Sequence, residues 1–250
     1  MATATIEQSV SDLRSATLPP LENGDRLSRT DFERRYEAMP KLKKAELIEG
    51  VVYMPSPVRL NRHGRPQRHI SNWLGHYEAA TPGVDGADNS TVRLDLDNEP
   101  QPDALLFIDP ARGGQARISA DDYLEGAPEL VAEVASSSAS YDLHVKLHVY
   151  RRSGVREYLV WRVLDGQIDW FVLREGQYEA LAPGSDGILK STIFPGLWLD
   201  PSALLRGDLA RVLVVLDQGV HSAEHAEFVA RLAKTTAEPA RPEQERPAAP

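Results

Sequence analysis

Two apolar runs, one directly preceded by a carboxylate and one with a carboxylate inside it, constrain the fold of this chain most strongly. Residues 101–109 read QPDALLFID, with Asp103 directly before an apolar run, and residues 130–135 read LVAEVA, with Glu133 inside the run. Because side chains alternate along a strand, Glu133 shares a face with Val131 and Ala135. Burying an unpaired carboxylate costs several kcal/mol or more, so a cationic partner is expected. We predict two buried strands whose acids need a cation.

A shared metal ion is one way to satisfy both acids. If the two strands are neighbours, Asp103 and Glu133 converge, and an all-oxygen ligand set favours Mg²⁺ or Mn²⁺. Alternatively, Asp103 ends its strand in solvent and Glu133 pairs with a nearby arginine. For either acid taken alone the second interpretation is preferable.

The segment 138–152 (SASYDLHVKLHVYRR) favours the metal interpretation. It is predicted as a helix, and Lys146 borders the apolar stripe of Leu143, Leu147 and Tyr150. Its ammonium can point toward the acids or extend to water beside Asp142, and helix geometry leaves both open. Two acids and a lysine suit metal-dependent phosphodiester hydrolysis, in which the lysine stabilises developing negative charge. We therefore expect Lys146→Ala to reduce turnover and to change thermal stability little.

Composition excludes several classes of protein. The chain has 250 residues and no cysteine, which removes disulfide frameworks, thiolate nucleophiles and cysteine-ligated metals. The longest aliphatic run, Val212 to Leu216, is far too short to span a bilayer, and the first eighteen residues do not resemble a signal peptide. We expect a cytoplasmic protein that does not enter a membrane.

Charge is distributed unevenly along the chain, whose net charge is -9. Residues 41–75 contain seven lysines and arginines against two acids, and residues 76–135 contain thirteen acids against three arginines. This pattern suits a phosphate-contacting edge beside a carboxylate-rich metal site, although two differently solvated surfaces explain it equally well. The candidate nucleic-acid contacts are Arg62, His63, Arg65 and Arg68.

The remaining pattern predicts one central domain of strands around two main helices. We predict a flexible segment over 1–28, a domain over 29–200, a C-terminal helical appendage over 201–233 and a disordered tail over 234–250. Further elements are expected as follows: a helix from Thr30 to Ala38, a hairpin over 45–54 turning at Gly50, a helix within 63–80, and strands over 91–96, 157–163, 168–173 and 177–181. Residues 193–200 are expected to close the sheet.

Three strings together resemble a known family. ELIEG (46–50), QPDALLFI (101–108) and the run from Glu125 to Trp161, which includes ELVAEVAS and YDLHVKLHVYRRSGVREYLVW, are similar to the Uma-two family of restriction endonucleases, within the PD-(D/E)XK nuclease superfamily. The resemblance covers roughly 30–200. It implies an α/β fold of the restriction-endonuclease type, with a central mixed sheet flanked by helices.

The same resemblance assigns roles residue by residue. Asp103 matches the aspartate of the PD motif and Glu133 the acid of the second motif, and both would hold the metal. Glu46 matches the glutamate of the family's ELIDG segment, which implies a metal or water contact. The motif lysine is replaced by Ala135, so Lys146 on the following helix is the candidate for that role.

Two functions from different classes remain open. The first is a Mg²⁺-dependent or Mn²⁺-dependent endonuclease acting on DNA, for which cleavage of both strands would favour a homodimer. The second is a catalytically inactive nuclease-like domain that binds nucleic acid or a protein partner. Zinc hydrolysis through the i, i+4 pairs His144/His148 and His221/His225 is a weaker alternative, because neither pair has the glutamate of a metalloprotease motif.

Overall fold

The computed structural model describes residues 18–55, 57–136 and 138–235. Its α-helices are α1 (Arg29–Glu37), α2 (Arg65–Ala80), α3 (Ala139–Tyr141), α4 (Leu147–Ser153), α5 (Pro201–Leu205), α6 (Leu209–Val220) and α7 (Ala223–Lys234). Single turns of π-helix precede α2 (Leu60–Gly64) and α4 (Asp142–Lys146), and a 3-10 turn covers Pro110–Arg112.

The strands are short except in the middle of the fold. They are β1 (Glu46–Ile48), β2 (Val51–Tyr53), β3 (Val84–Ala87), β4 (Val92–Arg93), β5 (Ala104–Ile108), β6 (Arg117–Ile118), β7 (Leu124–Glu125), β8 (Leu130–Ala135), β9 (Glu157–Arg162), β10 (Gln167–Arg174), β11 (Gln177–Ala180), β12 (Leu189–Lys190) and β13 (Trp198–Leu199).

A six-stranded sheet in the order β11-β10-β9-β8-β5-β3 forms the centre of the molecule. Strands β8 and β9 are parallel, since the chain crosses over through α3 and α4 between them, and the other neighbours are antiparallel. Helices cover both faces. This mixed sheet flanked by helices confirms the predicted α/β fold class.

The two faces of the sheet carry separate cores. On one face, Leu106 and Leu130 pack with the α2 residues Ile70 and Trp73. On the other face, Leu105, Phe107 and Val131 pack with aromatic residues of α4 and β9. Both β5 and β8 are buried on both sides, which explains their nearly continuous apolar sequences.

The β1–β2 hairpin stands outside the central sheet and has its own small core. Leu47 and Val52 pack against Phe32 of α1. The turn at Glu49 and Gly50 has positive φ at both residues, the geometry of a tight hairpin turn. Leu47 also pairs through its backbone with Glu99, just before β5. These contacts place β1 beside the amino-terminal end of β5.

Two predicted segments pair differently from expectation. Residues 193–200 do not close the central sheet, because β13 pairs with β12 in a separate two-stranded sheet. Within 91–96 only Val92 and Arg93 form a strand, and this strand pairs with β7. Strand β3 at the sheet edge was not predicted, since only Val84 of its four residues is buried.

Both ends of the predicted domain are packed more closely than expected. Residues 1–17 and 236–250 lie outside the described residues, but residues 18–28 are held against the hairpin, with Leu21 buried and Leu27 N donating to Gly50 O. The C-terminal helices are not an appendage, because Val212, Leu216 and Phe228 belong to the main core. Within the described ranges, no helix is long and apolar enough to cross a membrane.

Glu157, at the start of β9, provides a test of how the sheet is anchored. Its fully buried carboxylate accepts hydrogen bonds from Ser191 Oγ (2.7 Å), Thr192 N (2.8 Å) and Ile193 N (3.2 Å). Glu157→Ala leaves these donors unsatisfied and should lower the free energy of unfolding by about 3 kcal/mol in urea denaturation. The exposed Glu179→Ala should change it by less than about 0.5 kcal/mol. If the two substitutions lowered the free energy of unfolding equally, Glu157 would not anchor the sheet.

Candidate active site

The two acids predicted from the strand patterns lie on neighbouring strands. Strands β5 and β8 pair antiparallel, with Ala104 opposite Ala132, so Asp103 and Glu133 occupy the next opposed positions. Directly opposed residues share a face, here the face of Leu105 and Val131. Asp103 and Glu133 are 3% and 4% exposed. The sheet therefore brings both carboxylates to one end of one face.

Lys146 completes this group from the last position of the π turn before α4. Its Nζ lies 2.9 Å from Oε1 of Glu133 and 2.9 Å from Oε1 of Glu46, which is on β1. Only 3% of Lys146 is exposed, so the side chain does not extend to water beside Asp142. One ammonium thus joins the hairpin, the central sheet and the helix.

Glu133 and Glu46 each accept a second hydrogen bond that fixes their orientation. Tyr150, one turn after Lys146, donates its hydroxyl to Oε1 of Glu133 at 2.9 Å. The backbone N–H of Gln101 donates to Oε1 of Glu46 at 2.7 Å. The side chains of Lys146 and Tyr150 therefore occupy the same oxygen of Glu133. Its Oε2 accepts no hydrogen bond from the part of the chain that the structure describes.

Asp103 is surrounded by donors of a different kind. Its Oδ2 accepts from Val134 N at 2.8 Å and lies 3.2 Å from Nε2 of His63, and Lys44 Nζ is 3.9 Å from Oδ1. Although burial acts to raise it, the hydrogen bond and charge of His63 hold the pKa of Asp103 below its ordinary value. The same hydrogen bond raises the pKa of His63, against the effect of burial.

Buried carboxyl groups outnumber buried cationic groups in this cluster. Burial, together with the neighbouring acids, raises the pKa of Glu133 to about 7, and Lys146 opposes this rise. Burial also raises the pKa of Asp142, which is 3% exposed. Burial acts to lower the pKa of Lys146, but Glu133 and Glu46 raise it well above its ordinary value. The ammonium is therefore protonated, whereas burial favours the neutral forms of Glu133 and Asp142.

Two of the basic side chains that contact the acids, His63 and Lys146, lie in π-helical turns. His63 is the fourth residue of the turn 60–64, and Lys146 is the last of the turn 142–146. A π turn is wider than an α turn and is frequent at functional sites. Helical periodicity placed Lys146 beside the apolar stripe but could not show this local widening, which helps to direct the side chain inward.

The predicted nucleic-acid residues divide into two groups. Arg62, Arg65 and Arg68 are exposed on the π turn and the first turns of α2. His63 instead turns toward Asp103, and Gln67 Nε2 donates to the backbone oxygen of Asp103 at 3.2 Å. The segment 59–68, called the basic segment below, therefore contacts the acid cluster through His63 and exposes its arginines outside the cluster.

Two residues of the site, Lys44 and Tyr150, were not predicted from the sequence. Lys44 was counted only in the charge balance of residues 41–75, and Tyr150 only as an apolar core residue. The available signal for Tyr150 was its spacing, since Asp142, Lys146 and Tyr150 follow one another at four-residue steps. No sequence signal distinguished Lys44 from Lys41 and Lys43.

The histidine pairs do not form a metal site. His144 and His148 are exposed, and His225 is buried with Nε2 2.9 Å from Thr81 Oγ1 while His221 is exposed. Across residues 18–55, 57–136 and 138–235, no group of three or more histidines and acids is arranged to hold a metal. The zinc alternative therefore has no support in this geometry.

The chain is similar to known proteins in two comparisons. The model of the Uma2 family, described as "Putative restriction endonuclease", matches residues 30–202. A crystal structure of "a putative nuclease belonging to DUF820 from Anabaena variabilis" is similar to the chain at 13% identity, with a TM-score of 0.48, over 69% of this chain and 97% of that one. Among curated proteins none is significantly similar.

The burial of Lys146 changes the stability expected of its variants. Lys146→Met removes the counter-ion of two buried carboxylates and should lower the free energy of unfolding by about 3–5 kcal/mol in urea denaturation. This contradicts the expectation, drawn from the sequence, that Lys146 matters little for stability. Combining it with Glu133→Gln should cost less than the sum of the two single effects. Lys43→Met, at an exposed lysine, is the matched control, and strictly additive effects would exclude a coupled pair.

Proposed function

Because the chain belongs to the Uma2 family, whose description is "Putative restriction endonuclease", we propose that it is a metal-dependent endonuclease that hydrolyses phosphodiester bonds in DNA with Mg²⁺ or Mn²⁺. The observation that carries this proposal is the surplus of buried carboxylate beside the buried ammonium of Lys146. A divalent cation between Asp103 and Glu133 would balance that surplus.

The donor set fits a magnesium-type ion. Oδ1 of Asp103 and Oε2 of Glu133 accept no hydrogen bond from the described ranges, and both belong to residues on one face of the sheet. Mg²⁺ typically takes one or two carboxylates and fills its other positions with waters and substrate phosphates. Two protein ligands are therefore enough, which is consistent with the absence of a larger ligand group among the described residues.

The residues of the site have different roles in the proposed reaction. The bound ion would polarise the phosphoryl group and lower the pKa of a water. Lys146 and Tyr150 hold Oε1 of Glu133, which leaves Oε2 for the ion. Lys146 also provides a fixed positive charge that stabilises negative charge developing on the phosphate. Glu46, held by Lys146 and the backbone of Gln101, orients that ammonium.

One observation favours the inactive nuclease-like domain as a second candidate. Lys146 already compensates Glu46 and Glu133 without a metal, so these acids can serve folding alone. Such a domain would still bind nucleic acid or a protein partner through its basic segment. The two candidates differ in whether Asp103 and Glu133 bind a divalent ion.

Cleavage of plasmid DNA tests the proposal directly. The protein should nick or linearise the plasmid with Mg²⁺ or Mn²⁺ and should lose this activity in EDTA. Asp103→Asn should reduce the rate by about 10²-fold or more, because one of two metal ligands is lost, and calorimetry should show weaker binding of Mn²⁺.

The exposed Asp97→Asn variant is the matched control and should retain both activity and ion binding. Absence of cleavage together with absence of ion binding would favour the inactive domain. Cleavage that persists in EDTA would exclude a metal-dependent mechanism.

The exposed arginines of the basic segment should dominate the salt dependence of DNA binding. Each phosphate contact contributes about -0.9 to the slope of log K against log salt, so replacing Arg62, Arg65 and Arg68 by alanine should reduce the slope by roughly 3. Fluorescence anisotropy of a labelled duplex, measured across a salt series, gives this slope.

A triple replacement of arginines elsewhere controls for the change in net charge. Arg117, Arg174 and Arg231 are exposed on other elements. Their replacement by alanine should leave the slope within about 1 of the wild-type value, since they make no phosphate contact. An equal loss in both variants would place DNA binding outside the basic segment.

A further inference from the structure

Two large aliphatic side chains are exposed at the start of the basic segment. Val58 is 66% exposed and Leu60 is 68% exposed, with Arg59 between them and Arg62 just after. Single exposed apolar residues are normal on protein surfaces. Two such residues alternating with arginines are a different feature, because they combine apolar contact and positive charge on one short segment.

This apolar pair lies next to the acid cluster. Leu60 begins the π turn whose fourth residue, His63, lies 3.2 Å from Oδ2 of Asp103. The distance along the axis from Leu60 to His63 is therefore within about one helical turn, or 5.4 Å. Val58 lies against the end of the same turn, since a Cβ built on Gly64 would be 3.8 Å from Val58 Cγ1. Both side chains are therefore within a few residues of the contact between His63 and Asp103.

We propose that Val58 and Leu60 form an apolar wedge that inserts between neighbouring base pairs of duplex DNA beside the scissile phosphate. The inference rests on the proposed function and specifies its substrate as a kinked duplex. Arginines that contact phosphates position a protein on DNA, and aliphatic residues inserted from the minor groove unstack a base step and bend the helix. Arg59 lies between the two wedge residues and Arg62 follows them, so exposed arginines that can contact phosphates adjoin the wedge.

Charge and position favour DNA over other partners. Apolar residues mixed with arginines also suit a membrane surface rich in anionic lipid. However, the π turn is fixed to Asp103 through His63, and α2 is fixed there through Gln67. A planar bilayer held at this place would cover the acid cluster, whereas a duplex would present its backbone to it. The wedge therefore belongs to the substrate-binding surface.

Binding to duplexes that differ only in flexibility tests the wedge. Pyrimidine–purine steps such as TA kink easily, and A-tracts resist kinking. With Ca²⁺ in place of Mg²⁺, the wild-type protein should bind a duplex with a central TA step more tightly than an A-tract duplex. The fluorescence of 2-aminopurine placed at that step should increase as the base unstacks.

The double variant Val58→Ala/Leu60→Ala should lose both signals. Its affinity for the TA duplex should fall about tenfold, the size expected from loss of buried aliphatic contact, while the salt slope remains unchanged because the arginines are intact. Ile118→Ala, at a residue that is 62% exposed on β6, is the matched control and should behave as wild type.

Several outcomes would overturn the wedge and leave the nuclease proposal standing. In the first, the wild-type protein cleaves plasmid and binds the duplex, but 2-aminopurine fluorescence does not increase. In the second, the wild-type protein cleaves plasmid, but the double variant keeps the preference for the TA duplex. If the double variant no longer sediments with phosphatidylserine vesicles but still binds DNA as the wild-type protein does, Val58 and Leu60 contact a membrane, and the wedge is also overturned. Failure of the wild-type protein to bind any duplex would overturn both proposals.

Discussion

The ammonium of Lys146, held between Glu46 and Glu133, is the interaction on which the rest of the site depends. It joins the β1–β2 hairpin, which has its own small core, to strand β8 and the helical crossover, which share the core on one face of the sheet. Taking these charges out of water costs free energy, which their mutual attraction offsets only when the geometry is good. The 2.9 Å contacts and the hydroxyl of Tyr150 meet that condition.

The arrangement also explains why the site would need a divalent ion before it can bind a phosphate. For the DNA substrate proposed above, the bare acids Asp103 and Glu133 would repel a phosphate that is itself negative. Exposed arginines a few residues from His63 would attract the DNA backbone toward the same place. An ion between the acids would reverse the local sign, and metal binding and DNA binding would then strengthen each other.

His63 and Lys146 show how the fold delivers a cation to a buried acid. Each lies in a π turn next to an α-helix that packs against the sheet. His63 reaches Asp103, just before β5, and Lys146 reaches Glu133 within β8. Buried polar groups of this kind seldom improve stability over apolar residues of equal volume.

The sequence by itself determined the two central strands and the need of their acids for partners. Strands β5 and β8 were predicted because strands buried on both faces have continuous apolar sequences, and an acid inside such a run must have a partner. Only the tertiary structure decided which partner each acid has. Lys146 meets Glu46 from 100 positions away, and His63 turns inward while Arg62 stays exposed. The tertiary structure also placed α6 and α7 in the main core and paired β13 with β12. Local periodicity reports which face of an element is apolar, but the choice among distant apolar and charged partners depends on packing of the whole chain.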